Sequence, residues 1–143
     1  MTLHFSSKRR STPTSALLAA FLLTLASASA QADWVRVTRS DDGKSSTYAD
    51  PDTLQTLGTR VQLMTLTDYQ EAQVISADKK FMSVTMKDEF NCDNASGRHL
   101  NLTAMSDNMG KGSTVAVEMK PAPLRQIRES TADADMLRFA CQR

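Results

Sequence analysis

The sequence predicts an α+β domain: an antiparallel sheet of about six strands with one C-terminal helix packed on one face and tethered by a disulfide. Three observations predict it. Up to about Met119 the chain consists of short segments of alternating apolar and polar residues separated by Asp-Gly, Asn and Pro turn signals, the mark of connected hairpins. Beyond Pro121 and Pro123 the spacing becomes helical, from about Ala132 to Cys141. The only two cysteines, Cys92 and Cys141, follow an export signal, so they are expected to bond and to tie the end of the chain to its middle.

That export signal is read from Lys8, Arg9 and Arg10, followed by the apolar run from Ala16 to Leu25 and a small-residue stretch. The run is too short to span a bilayer, and it reads as a secretory signal peptide covering residues 1–32, with cleavage near Ala30 or Ala32. Arg9-Arg10 is followed by Ser11-Thr12-Pro13 and not by an apolar pair, which favours general secretion over twin-arginine export. A periplasmic or secreted protein is therefore expected. Residues 33–143 make one domain of about 110 residues, enough for a small core. Cleavage removes those basic residues and no acidic ones, so the precursor's formal charge of +1 becomes slightly negative, and capture of nucleic acid is not expected. No second apolar run approaches membrane-spanning length and no cysteine lies near the cleavage sites, so neither stable membrane insertion nor a lipid anchor is expected.

The first strand runs from Trp34 to Thr38, and Ser40-Asp41-Asp42-Gly43-Lys44 turns it into a return strand from Ser46 to Ala49. Asp50-Pro51-Asp52 is expected to break that strand, leaving Thr53 to Leu57 room for at most one helical turn before Gly58. Arg60 to Tyr69 is the third strand, apolar on parts of both faces and hence central. In the fourth, Phe81 to Asn91, Met82, Val84, Met86 and Phe90 form a buried face, and Ser83, Thr85, Lys87 and Glu89 a wet one. The fifth, Arg98 to Ser106, turns Leu100, Leu102 and Ala104 inward, and Asn108-Met109-Gly110-Lys111-Gly112 leads into Thr114 to Met119. Ser130 or Thr131 caps the helix, with Asp133 and Asp135 in its first turn, Arg138 in its last, and Ala134, Leu137 and Cys141 on one face.

His99 is the one histidine left after cleavage, and Ser96 or Ser106-Asp107 have no spacing that enforces a triad with it. Its alternation with Leu100 and Leu102 places it on the wet face as a plain surface residue. Gly110-Lys111-Gly112-Ser113-Thr114 lacks the spacing of a phosphate loop and reads as a hairpin turn. Asp41-Asp42-Gly43 and Asp50-Pro51-Asp52 lack the alternating ligands of a calcium loop, and Met82 with Met86 reads as core filling in preference to a copper site. No catalytic residue, metal or cofactor is predicted. The pattern points to a non-enzymatic binding module whose partner is a protein or other macromolecule. The alternative is a small-ligand carrier or minor hydrolase in the groove between helix and sheet, with His99 as general base.

Taken in order, Trp34-Val35, Asp42-Gly43, Tyr48-x-Asp50-Pro51, Gly58-x-x-Val61, Asp68-Tyr69, Ser83, Glu89-Phe90-Asn91-Cys92, Arg98, Asn108-Met109-Gly110-x-Gly112 and Ala140-Cys141 resemble the bacterial surface-adhesin protein E family. The resemblance spans essentially the whole expected mature domain. It implies a six-stranded antiparallel sheet with a disulfide-fastened C-terminal helix, export in a Gram-negative bacterium, and an adhesin-like role in binding host extracellular-matrix proteins. It carries over no catalytic residue.

Overall fold

A computed structural model describes residues 32–142; residues 1–31 of the expected signal peptide, with the cleavage site after Ala30, lie outside the described residues. The strands are β1 (Val35–Arg39), β2 (Ser45–Leu57), β3 (Arg60–Ser76), β4 (Lys79–Asn91), β5 (Ser96–Met105), β6 (Thr114–Glu118) and β7 (Arg125–Gln126), and one helix follows, α1 (Ala132–Cys141). Six strands lie side by side in chain order, each antiparallel to the next, and the short β7 pairs with β5 at Ser96 and Gly97. Each tight turn joins nearest neighbours, so the sheet is a simple meander with β3 and β4 at its centre.

The chain departs from expectation at Pro51. β2 does not end there but runs on to Leu57, through a register shift between Asp50 and Gln55. Proline is tolerated because the irregular stretch needs no ladder donor at that point. Thr53 supplies the missing bonds: its hydroxyl donates to the Asp50 carbonyl at 2.7 Å and accepts from the Met64 amide at 2.8 Å. No helical turn forms. β3 and β4 also run further than the alternation suggests, projecting as a two-stranded hairpin past the strands on either side.

α1 has the predicted bounds. Thr131 is the cap, its side chain accepting from the Ala134 amide, with Asp133 and Asp135 in the first turn and Arg138 in the last. The expected face does meet the sheet, with Ala134 buried, Leu137 packed at the core's margin beside Phe139 and Cys141 bonded to Cys92, but the packing is wider than expected: Met136 and Ala140 join Ala49, Val61, Leu63 and Phe90 in the core. Cys92, just after β4, is bonded to Cys141 at the end of α1, with Cα atoms 5.7 Å apart. The helix is thus held to the sheet by apolar burial and by a covalent link.

The other face of the sheet is not wet. Leu66 and Ser83 are fully buried there, and Glu89 is 3% exposed. Over Leu66 and Ser83 the cover is the loop after β5, whose 3-10 turn Asn108–Gly110 packs on β3 and β4, whereas Glu89 is enclosed by Arg98, Gln62 and Arg60.

Candidate functional site

Three polar assemblies lie on the two faces of the sheet, and each is built around residues that cross-strand pairing brings together. On the loop side, the Asp68 carboxylate accepts from the Met109 amide at 2.6 Å and from the Asn108 side chain at 3.1 Å. The Ser83 hydroxyl donates to the Asp107 carbonyl at 2.6 Å and accepts from the Gly110 amide at 2.9 Å. Met109 adopts a left-handed conformation with φ 57°. Gly112 is required by both conformation and space: its φ is +81°, and a Cβ there would lie 2.2 Å from the Ser106 hydroxyl oxygen. Asp68, Ser83 and the Asn108-Met109-Gly110-x-Gly112 run are therefore parts of one clip that fastens a loop.

Toward the other end of the same face, Glu89 is held by Arg98 at 2.8 Å, by the Gln62 amide at 2.7 Å and by Arg60 at 3.7 Å. Burial would push the Glu89 carboxyl up; the hydrogen bonds from Gln62 and Arg98, with the charges of Arg98 and Arg60, outweigh it and hold the group below its ordinary value. These positions serve folding.

On the helix side lies the one assembly with chemical character among the described residues. His99 stands opposite Asp88 in the ladder, and its Nδ1 donates to Asp88 Oδ1 at 2.6 Å. Thr65 donates to the other oxygen, Oδ2, at 2.7 Å. Asp88 is 5% exposed, whereas the His99 side chain keeps 30% of its surface, so one ring edge is fixed and the other reaches a shallow open notch of about 10 Å³, room for about one water. Arg125 and Asp133 also line this notch, paired with each other at 2.7 Å. The hydrogen bond to Asp88 raises the His99 pKa above its ordinary 6.5; burial and the Arg125 charge oppose this, while the Asp88 and Asp133 charges add to it.

This corrects the expected wet-face placement of His99. The β4–β5 register shifts at Lys87/Asp88, where β5 carries an extra residue between His99 and Asn101. One added residue reverses the parity of everything before it, so His99 shares a face with Leu102 instead of opposing it. Ser96 and Ser106-Asp107 do not meet His99: Ser96 bonds to Asn94, and Ser106 to its neighbour Asp107. Thr65, Asp88, Arg125 and Asp133 were not legible as partners, because nothing in a linear sequence marks which residue of a strand is bulged. A larger polar groove of about 480 Å³ opens between the β1–β2 turn and the start of α1, lined by Arg39, Asp41 and Asp135 among others.

The surface-adhesin protein E family model matches residues 34–142, all but the first two of the described residues. The chain belongs to the surface-adhesin protein E family. Solved structures agree at the level of fold. Crystal form II of Haemophilus influenzae protein E superposes with a TM-score of 0.62 at 12% identity, covering 78% of this chain and 89% of that one. The selenomethionine form of the same protein gives 0.60 at 13% identity, covering 78% and 88%. Protein E from non-typeable Haemophilus influenzae gives 0.58 at 12% identity, covering 78% and 77%. No curated protein matches by sequence. Several residues that carry the adhesin E resemblance map onto the loop clip, the Glu89–Arg98 pair and the disulfide, so what the family pattern fixes here is architecture. Among the described residues no helix is long and apolar enough to cross a membrane.

Proposed function

We propose that this protein is an exported, non-enzymatic binding module that engages a macromolecular ligand, adhesin-fashion, through an exposed part of its sheet. The observation that carries this reading is the family match across residues 34–142. The polar residues quoted for the resemblance support it: Asp68, Ser83, Glu89 and Arg98 spend their hydrogen-bonding capacity inside the protein, which leaves recognition to exposed strand surface. The expected location is the periplasm or beyond, after removal of the signal peptide near Ala30 or Ala32. Mature protein immobilised and exposed to purified extracellular-matrix proteins, and separately to envelope extract, tests the reading. Saturable capture of a matrix protein supports adhesion, capture confined to an envelope component supports a periplasmic role, and binding to neither removes the proposal.

A second reading rests on His99. A histidine oriented by a buried carboxylate is the arrangement a general base requires, and this favours the minor-hydrolase alternative. No serine, threonine or cysteine side chain lines its notch, so the imidazole would have to act on water. His99→Ala in a hydrolase screen that first gave a signal decides it; unchanged turnover eliminates His99 as the base.

A further inference from the structure

The two outer edges of the sheet are built differently. β1 is blunted in the usual ways. It carries Arg36 and Arg39, its ladder is broken between Arg36 and Thr38, and the Thr38 hydroxyl is bound to Asp135 of α1 at 2.6 Å. β6 lacks charge along Thr114-Val115-Ala116-Val117, and among the described residues no strand lies outside it. Its single charged residue, Glu118, is turned back on its own chain, accepting from the Lys120 amide at 2.9 Å.

Exposed apolar side chains lie on this strand and in the segment that follows it. Val117 is 52% exposed, Met119 71% and Leu124 55%. Val117 lies within β6 and Met119 directly follows its last residue, so both exposed side chains are within reach of a segment lying alongside. Pro121 and Pro123 have no amide hydrogen, so a ladder begun at β6 must stop there. The open edge is therefore short, no longer than Thr114–Glu118, since the Lys120 amide is already spent on Glu118, and it demands an extended backbone as its occupant.

We propose that the outer edge of β6 docks an extended peptide strand from a protein partner, about five residues long, apolar where it faces Val117 and Met119 and acidic at its ends. This rests on the binding-module reading and names the class of partner. The acidic ends follow from Lys111 and Lys120, exposed on either side of β6 with Glu118 tied back. The same features disfavour a second copy as occupant. Val115 is the extra residue in the β5–β6 ladder, so antiparallel self-pairing would have to absorb a bulge from each chain. Pairing about Ala116 would also set Lys111 of each chain near Lys120 of the other, joining like charges at both ends.

The test uses isotope-labelled mature protein and a capped synthetic heptapeptide, Asp-Val-Thr-Val-Thr-Val-Asp, with a control in which both aspartates are lysine. The expected result is amide shifts confined to residues 114–120 and the paired part of β5, at least about 10-fold weaker binding of the lysine peptide, and loss of binding in Val117→Lys. Val117 is exposed, so that variant keeps the fold; Ala116→Pro, checked by circular dichroism, removes a β6 amide as a second probe. Shifts centred on β1 or on the His99 notch, no shifts, equal binding of the two peptides, or undiminished binding by Val117→Lys would each overturn the proposal. So would self-association of the free protein that Val117→Lys abolishes, since the occupant would then be a second copy. If a captured matrix protein is held equally by wild type and Val117→Lys, the binding-module reading stands and the β6 edge falls; if the panel captures nothing while the peptide still binds as described, the edge stands and adhesion falls.

Discussion

The two faces of this sheet are covered by different physics. On one, α1 is pressed down by Met136 and Ala140 against Val61, Leu63 and Phe90 and bonded through Cys141. On the other, a loop is pinned by point contacts from Asp68 and Ser83 to backbone groups of residues 107–110. Apolar burial is non-directional and forgiving of small shifts, whereas the clip depends on a few hydrogen bonds and on glycine geometry. A cover held by packing and a covalent bond should loosen gradually under mutation; one held by a clip should fail at single residues.

The largest expected effect tests the helix side. Reduction, or Cys141→Ser, should cost about 2–4 kcal/mol and lower the Tm by about 10 °C or more, with hydrogen exchange rising first in Ala132–Cys141 while most of the sheet stays protected. Loss of protection across β3 and β4 at the same rate would show that the helix and sheet are one cooperative unit. Next comes Gly112→Ala on the loop side, expected to cost about 2–3 kcal/mol from its left-handed conformation and its collision with Ser106 and Asp107. Thermal melts read the cost, and exchange should localise it to residues 106–113 with α1 unchanged.

Ser83→Ala follows at about 1–3 kcal/mol, because it strips partners from the Asp107 carbonyl and the Gly110 amide. Combined with Cys141→Ser its cost should add to within about 0.5 kcal/mol if the faces are independent; a larger coupling would show that strain passes through β4. The smallest effect is in pH. His99 has a folded pKa raised above 6.5, so its contribution to stability is complete below the unfolded value and is lost as pH rises through the folded one. Glu89 has a lowered pKa and its contribution changes only in acid, so melts between pH 6 and 8 isolate the histidine. The protein should melt slightly lower at pH 8 than at pH 6, and His99→Gln should abolish the difference.

The helix side was legible in the sequence because its signals are local. Thr131, Asp133, Asp135 and Arg138 mark the ends of α1, and the cysteine pair says where it docks. The loop side was misread for a physical reason: Ser83, Thr85, Lys87 and Glu89 have the polarity of a solvated face, and a hydrogen-bonded burial leaves the same imprint on the alternation as water does. Pro51 misled in a similar way, since its rule holds for regular ladders and β2 is irregular there. At the notch, His99 itself was identified, but a single bulged position decided its face and with it the partnership with Asp88.

The bond between Cys92 and Cys141 closes a covalent ring with a sequence separation of 49, and β5, β6, β7 and nearly all of α1 lie inside it. Several exposed basic residues that a trypsin-like protease would choose, Lys111, Arg125 and Arg128, are within that ring. A single cut at any of them opens the ring without releasing a fragment, and both new ends stay attached to the sheet. Outside the cell, where such proteases are met, the nicked protein would keep its mass, gaining only the water of hydrolysis, until a reductant parted the two pieces.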